Sequence, residues 1–286
     1  MSRSNVRAEA GVVRSIHVNG LRLKTIVRGQ GRPLLLIGGI GANTEMCEPF
    51  ARALTRTELV MFDLPGCGGS STPRRPMSMA GLASVVEGIL DELGYRQLDV
   101  LGVSMGGGLA QQLARQAPER VRRLVLVATG CGLGMVPGRP LAMGVMMSPL
   151  RYYSTPFFKL AAPFFLGGEK WKDREFVREH GAARRAKPPS VLGYYIQAMS
   201  AMTFSSLPWL HTLRHHTLVL SGDDDPIVPA ANGALLARRI PNSRFHLIRG
   251  GGHLFILDSP HEVAPLVEDF LGEAMPAEQS GERTAA

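Results

Sequence analysis

The sequence predicts an α/β fold: a mostly parallel central sheet, helices on both faces, and a helical cap inserted after the sixth strand. Short, continuously apolar runs recur along the chain, the pattern of strands buried on both faces. Segments with apolar residues at helical spacing separate them, and such alternation favours parallel pairing with helices above and below the sheet. Between residues 131 and 210 the alternation stops, and no buried strand is readable.

Taken in order, residues 15–28 read as a β-hairpin around Asn19-Gly20, a pair suited to the positive φ angles of a type I′ turn. Apolar runs follow at 33–37, 59–62, 98–103, 124–127, 218–220 and 245–248, with helical patterns at 83–93 and 109–117. In the last helix Ser259 and Glu262 are spaced as a capping box, with Pro260 at the first helical position. Val263, Leu266, Val267, Phe270 and Leu271 then form one apolar stripe. The interrupting segment is rich in Met, Phe and Tyr and is expected to be the cap; its charged centre, 169–187, is expected to be a solvated face. The expected division is a core of 15–130 and 211–272, a cap of 131–210, and a polar, flexible tail of 273–286.

With 45% hydrophobic and 20% charged residues over 286 positions, the composition supports a sizeable core and excludes global disorder. The formal charge of +8 is spread without any long basic run or nucleic-acid motif, so no nucleic-acid partner is expected. The cysteines, Cys47, Cys67 and Cys131, are odd in number and widely spaced, against a disulfide framework or a zinc site. Residues 1–11 are polar, and no apolar run is long enough to span a bilayer, so a cytoplasmic setting is expected.

The chemistry starts at Gly102-Val103-Ser104-Met105-Gly106. This G-x-S-x-G string closes an apolar run and opens a helical pattern, the strand–turn–helix setting of a nucleophile elbow. Glycines on both sides permit a turn sharp enough to lift the Ser104 hydroxyl clear of the sheet. The Met105 N–H then sits at a helix start, where partial positive charge favours an anion. A second oxyanion donor is expected from the loop after run 33–37, Gly38-Gly39-Ile40-Gly41, and is assigned to the Ile40 N–H.

A serine hydroxyl needs a base, and the base needs an orienting carboxylate. Of the eight histidines, His253 stands out, because it follows Gly250-Gly251-Gly252 just beyond the last strand. His246 falls within a strand, His261 in the first turn of a helix, and His211, His215 and His216 just before a strand. Asp223-Asp224-Asp225 follows run 218–220; Asp225 is favoured as the acid because it directly precedes Pro226-Ile227-Val228-Pro229, while Asp223 or Asp224 suits a cap. The chain order Ser104, Asp225, His253 is that of α/β-hydrolases.

Through these residues the chain resembles the α/β-hydrolases across 15–271, and within them the intracellular medium-chain-length poly(3-hydroxyalkanoate) depolymerases. The narrower resemblance is carried by Ile40-Gly41-Ala42-Asn43, Asp63-Leu64-Pro65-Gly66, Met135-Val136-Pro137-Gly138 and Gly193-Tyr194-Tyr195. Two positions depart from it. Met105 stands where that family tends to have tryptophan, and Gly38-Gly39 replaces a His-Gly pair whose side chain usually braces the oxyanion loop. The resemblance implies an ester hydrolase acting on an apolar ester or polyester, contact with a polyester granule surface, and no metal or organic cofactor. Its competitors are a small-ester esterase, lipase or thioesterase, a carbon–carbon bond hydrolase, and a non-catalytic receptor or granule-binding protein on the same scaffold. An aspartate nucleophile is disfavoured by Ser104.

Overall fold

The computed structural model describes residues 11–274. The predicted hairpin forms as β1 (Val12–Val18) and β2 (Leu21–Arg28), with Val18 opposite Leu21. Asn19 and Gly20 both take positive φ, 51° and 76°, as the type I′ turn requires. The chain continues through β3 (Arg32–Ile37), a 3₁₀ turn, α1 (Glu48–Ala53), β4 (Thr57–Phe62), α2 (Met79–Leu93), β5 (Leu98–Val103), α3 (Met105–Gln116) and β6 (Val121–Val127). The helices α4 (Pro140–Met146), α5 (Leu150–Tyr153), α6 (Thr155–Phe165), α7 (Arg174–Ala186) and α8 (Val191–Met202) then intervene. The sheet resumes with β7 (His216–Gly222), α9 (Ala230–Arg239), β8 (Ser243–Ile248), α10 (Phe255–Asp258) and α11 (Pro260–Gly272).

The strands form one sheet in the order β1-β2-β4-β3-β5-β6-β7-β8. Pairing is antiparallel at β1/β2 and β2/β4 and parallel from β4 to β8. Alternate residues of β3 show why the central runs are apolar throughout: Leu35 and Ile37 pack with α2 and α3 on one face, Leu34 and Leu36 with α1, α10 and α11 on the other. The insertion follows the sixth strand, as predicted. In this order β3 and β5 are neighbours, so the loops leaving their C-terminal ends lie side by side. That crevice is where open α/β sheets place their ligands.

Three local expectations are corrected. Run 245–248 is not buried on both faces: β8 is an edge strand, with Phe245 38% and Leu247 40% exposed. The capping box does not form. Ser259 directly follows the one-turn helix α10, its backbone is not extended, and its hydroxyl donates to Asp258 at 2.8 Å instead. The charged centre of the insertion is not simply a solvated face, because α7 buries Val177, His180, Gly181 and Arg184. The apolar stripe of α11 is as read, except that Leu266 is only half-buried. Most of the tail read as flexible, residues 275–286, lies outside the described residues.

The helix α3 starts earlier than its periodicity showed. Its first turn is the glycine run Gly106-Gly107-Gly108, which carries no hydrophobic signal. No helix among the described residues is long and apolar enough to cross a membrane.

Candidate active site

Ser104 sits between β5 and α3 with φ 56° and ψ −122°, a conformation that costs a non-glycine residue about 1–3 kcal/mol. The surroundings over-determine it. A Cβ on Gly102 would lie 2.2 Å from the Gly106 carbonyl oxygen, and one on Gly106 would lie 2.2 Å from that of Ile37. The Ser104 N–H donates to the Val127 carbonyl at 2.9 Å, and its own carbonyl accepts from Gly107 N–H at 2.9 Å and Thr129 Oγ1 at 2.6 Å. The elbow is therefore wedged between β3 and the end of β6.

The structure brings Ser104, His253 and Asp225 into one hydrogen-bonded line. His253 Nε2 lies 3.1 Å from Ser104 Oγ, and His253 Nδ1 lies 2.8 Å from Asp225 Oδ2. The other Asp225 oxygen accepts the Ile227 and Val228 N–H groups at 2.8 and 2.9 Å, which fixes the carboxylate plane. Asp225 and His253 are both buried. The neighbouring aspartates separate clearly. Asp223 is exposed, while Asp224 pairs with Arg139 at 2.5 Å and accepts the Gly168 N–H at 2.9 Å, tying the insertion to the acid loop rather than capping a helix. The glycine directly before His253 is needed for close approach: a Cβ on Gly252 would lie 2.2 Å from the Leu166 carbonyl oxygen. That same carbonyl accepts the His253 N–H at 2.7 Å.

Of the expected oxyanion donors, Met105 N–H belongs to the first residue of α3 and Ile40 borders the cavity beside Ser104. Among the described residues neither amide has a hydrogen-bond acceptor. The loop lacks the usual side-chain brace at Gly38 and is held from the insertion instead. Tyr152 Oη donates to the Ile40 carbonyl at 2.6 Å, and Gln197 Oε1 accepts the Gly41 N–H at 2.9 Å. Gln197 is anchored in turn on the Pro65 carbonyl at 2.9 Å. Gly41 has to be glycine: its φ is 73°, and a Cβ would lie 2.7 Å from the Tyr152 ring.

Ser104 and His253 open onto a narrow cavity of about 60 Å³, lined mainly by apolar groups including Met46, Phe50, Met146, Phe165, Ile227 and Leu254. A volume of this size holds a few waters, so anything larger enters only as lining side chains move aside. Cys47 also lines the wall, but burial, followed by the Asp63, Glu45 and Glu48 carboxylates, pushes its thiol up to about 12. It stays protonated and is not a competing nucleophile. Among the described residues no three His, Cys, Asp or Glu side chains gather as a metal-binding group.

Comparison with known proteins identifies the family. Residues 32–260 match the family model described as alpha/beta hydrolase fold. The chain belongs to the α/β hydrolase fold family. A poly(3-hydroxyalkanoate) depolymerase of Ectopseudomonas oleovorans is 43% identical, over 91% of this chain and 92% of that protein. A 2-hydroxymuconate semialdehyde hydrolase of Pseudomonas putida is 31% identical, over 91% and 94%. Among solved structures, a hydrolase from Pseudomonas aeruginosa PA01 superposes with a TM-score of 0.80 at 26% identity, covering 92% of this chain and all of that one.

Like other members of the α/β hydrolase fold family, the chain sets its elbow at the end of a central strand. What sequence reasoning missed is the share contributed by the insertion: Tyr152 and Gln197 on the oxyanion loop, and Arg151 and Arg184 in the cavity wall. The Gly193-Tyr194-Tyr195 string marked this region without revealing roles. Tyr194 is fully buried and stacks edge-on against Tyr195, and Gly193 lets α8 pass within van der Waals reach of Gly66.

Proposed function

We propose that this chain is a serine hydrolase of carboxylic esters that works through an acyl-enzyme, with hydroxyacyl polyesters of the poly(3-hydroxyalkanoate) class as its substrates. One observation carries the reading: the unbroken line Asp225–His253–Ser104 at the mouth of an apolar cavity. With the Nδ1 proton directed at Asp225, the Nε2 lone pair faces the Ser104 hydroxyl. His253 then acts as base while Ser104 Oγ attacks the ester carbonyl, and Asp225 holds the imidazole in that tautomer and stabilises its positive charge. The Met105 and Ile40 N–H groups receive the oxyanion, a role in which one donor is worth ~3 kcal/mol. The alcohol leaves with the proton from His253, and water repeats the sequence on the acyl-enzyme. The 43% identity to a poly(3-hydroxyalkanoate) depolymerase supports the polyester assignment. So does the exposed apolar surface of the insertion, which includes Leu141 at 66%, Met147 at 56% and Leu160 at 73% exposed and suits contact with a polymer granule. A cytoplasmic granule is the corresponding setting.

The test is clearing of a medium-chain polyhydroxyalkanoate suspension, with monomer release measured alongside. Wild type is expected to clear it, and Ser104→Ala to lose at least about 10⁴-fold in rate. If the suspension stays turbid while wild type alone cleaves a soluble p-nitrophenyl ester, the polyester assignment fails and a small-ester hydrolase remains. The 31% identity to a 2-hydroxymuconate semialdehyde hydrolase favours a second reading, carbon–carbon bond hydrolysis by the same residues. Turnover of a 2-hydroxymuconate semialdehyde with no ester cleavage would establish that reading instead.

A further inference from the structure

Two arginines of the insertion line the cavity that holds Ser104, and both are nearly inaccessible, Arg151 at 2% and Arg184 at 4% exposed. They are not equivalent. Arg151 Nη1 donates to Tyr194 Oη at 2.7 Å and to the Ser148 carbonyl at 2.9 Å. Arg184, on α7, has neither Nε nor Nη1 hydrogen-bonded. Among the described residues no Asp or Glu pairs with either guanidinium.

The surroundings of Arg184 are aromatic: its Cζ lies 5.0 Å from the Tyr152 ring centre, 5.4 Å from Phe158 and 5.6 Å from Phe165. Ring faces attract a cation but do not accept from its in-plane N–H donors, so beside its contact with the Tyr152 hydroxyl the Nε and Nη1 donors stay without an acceptor. Burial first, and Arg151 after it, lower the guanidinium to about 10, so it stays charged at neutral pH. His180 packs beside it with Nε2 also unpartnered, and burial followed by Arg184 keeps that imidazole neutral. A buried cation without an anion is costly, and a ligand that supplies the anion relieves the cost.

We propose that Arg184 anchors a carboxylate subsite that holds the free carboxylate of the alcohol-side unit of a hydroxyacyl ester, so that the terminal ester bond of a chain is presented to Ser104. The proposal rests on the ester-hydrolase reading above and deepens it. In a chain of hydroxy acids the last unit carries a free carboxylate, and its hydroxyl oxygen forms the last ester. When Ser104 Oγ bonds to that ester carbon, the bond to the alcohol oxygen breaks. The oxygen takes the proton from His253, and a single hydroxy acid departs with its carboxylate still at Arg184. Water then frees the shortened chain, which returns with a new carboxylate end. The enzyme therefore cuts from the carboxyl end, one unit at a time.

The experiment compares kcat/KM for a 3-hydroxyalkanoate dimer bearing a free carboxylate with that for the same dimer capped as its primary amide, in wild type, Arg184→Met and Arg184→Lys. A charge-assisted hydrogen bond predicts that wild type favours the acid by about tenfold or more. Arg184→Met brings the ratio close to one, and Arg184→Lys keeps part of it. Equal rates for acid and amide in wild type, or an unchanged ratio in Arg184→Met, overturn the proposal. The wild-type comparison decides even if the variants do not fold. If neither dimer is cleaved while a p-nitrophenyl ester is, the polyester reading fails by itself. The subsite is then judged by competitive inhibition of that ester's hydrolysis. Octanoate inhibiting about tenfold more tightly than octanamide supports it, and equal inhibition overturns it.

Discussion

The sheet side of the cavity and the side supplied by the insertion hold their residues by different means. On the sheet side, main-chain sterics fix the geometry: Gly102, Gly106 and Gly222 each bring backbone so close that a Cβ would lie 2.2 Å from a carbonyl oxygen. On the insertion side, long side chains reach across a gap. Tyr152 and Gln197 grip the oxyanion loop, Arg139 reaches Asp224, and Arg184 stands in an aromatic box. The first arrangement is rigid and local. The second depends on how α4 to α8 sit, which leaves it able to yield to substrate in a cavity of about 60 Å³.

The largest effect falls on the sheet side. In Asp225→Asn the remaining oxygen can still accept from Ile227 and Val228, so the loop keeps its shape. The amide then turns a donor toward His253 Nδ1, which favours the tautomer with the proton on Nε2, facing Ser104. The expected loss in kcat is about 10⁴-fold on a soluble ester, with KM little changed. Circular dichroism matching wild type alongside that loss assigns it to the tautomer. A loss below about tenfold would remove Asp225 from the proposed mechanism.

The same contrast explains what the sequence could reveal. The elbow, the hairpin turn and the glycine loop before His253 are written in short strings, because each turn needs particular residues at adjacent positions. The central strands are readable because both of their faces are buried. The edge strand β8 misled, since Phe245 and Leu247 are apolar yet partly exposed. The three aspartates were ranked by the prolines that follow, but only the fold shows that Asp224 serves the insertion. Arg184 was hidden for a deeper reason. In a segment as charged as 169–187, one buried arginine looks like its solvated neighbours, and its burial arises from rings at positions 152, 158 and 165 brought together by tertiary packing.

A smaller effect tests the insertion side. If the oxyanion loop takes its shape from Tyr152 and Gln197, then Tyr152→Phe or Gln197→Leu lowers kcat while leaving KM near its wild-type value. Each tether acts on the Ile40 N–H only indirectly, so the expected loss is about tenfold, below the ~10²-fold cost of removing a donor outright. The double variant should lose more than either single one. Unchanged kcat in all of them would mean that the loop holds itself and that the contrast between rigid and tethered sides stops at Ala42.

The smallest effect lies where the two sides are joined by charge. Glu45, in the turn after β3, bonds to Lys24 Nζ of β2 at 2.7 Å and to Lys187 Nζ, just beyond α7, at 2.8 Å. Burial alone would raise its carboxyl, but the hydrogen bonds from Lys187 and Lys24 outweigh it and hold the group at about 2, against an ordinary 4.5. A carboxyl depressed on folding stabilises the protein above its unfolded value and loses that contribution as it takes up a proton. The contribution should therefore be whole above pH 4.5 and fade as pH falls toward 2. With the side chain 34% exposed, solvent screening limits it to under about 1 kcal/mol. Urea midpoints for wild type and Glu45→Gln should differ at pH 6 and converge near pH 2–3 as protonation makes the wild-type side chain neutral too. A gap that stays constant over that range would mean that Glu45 holds the insertion by shape, and the charge link between the two sides would be withdrawn.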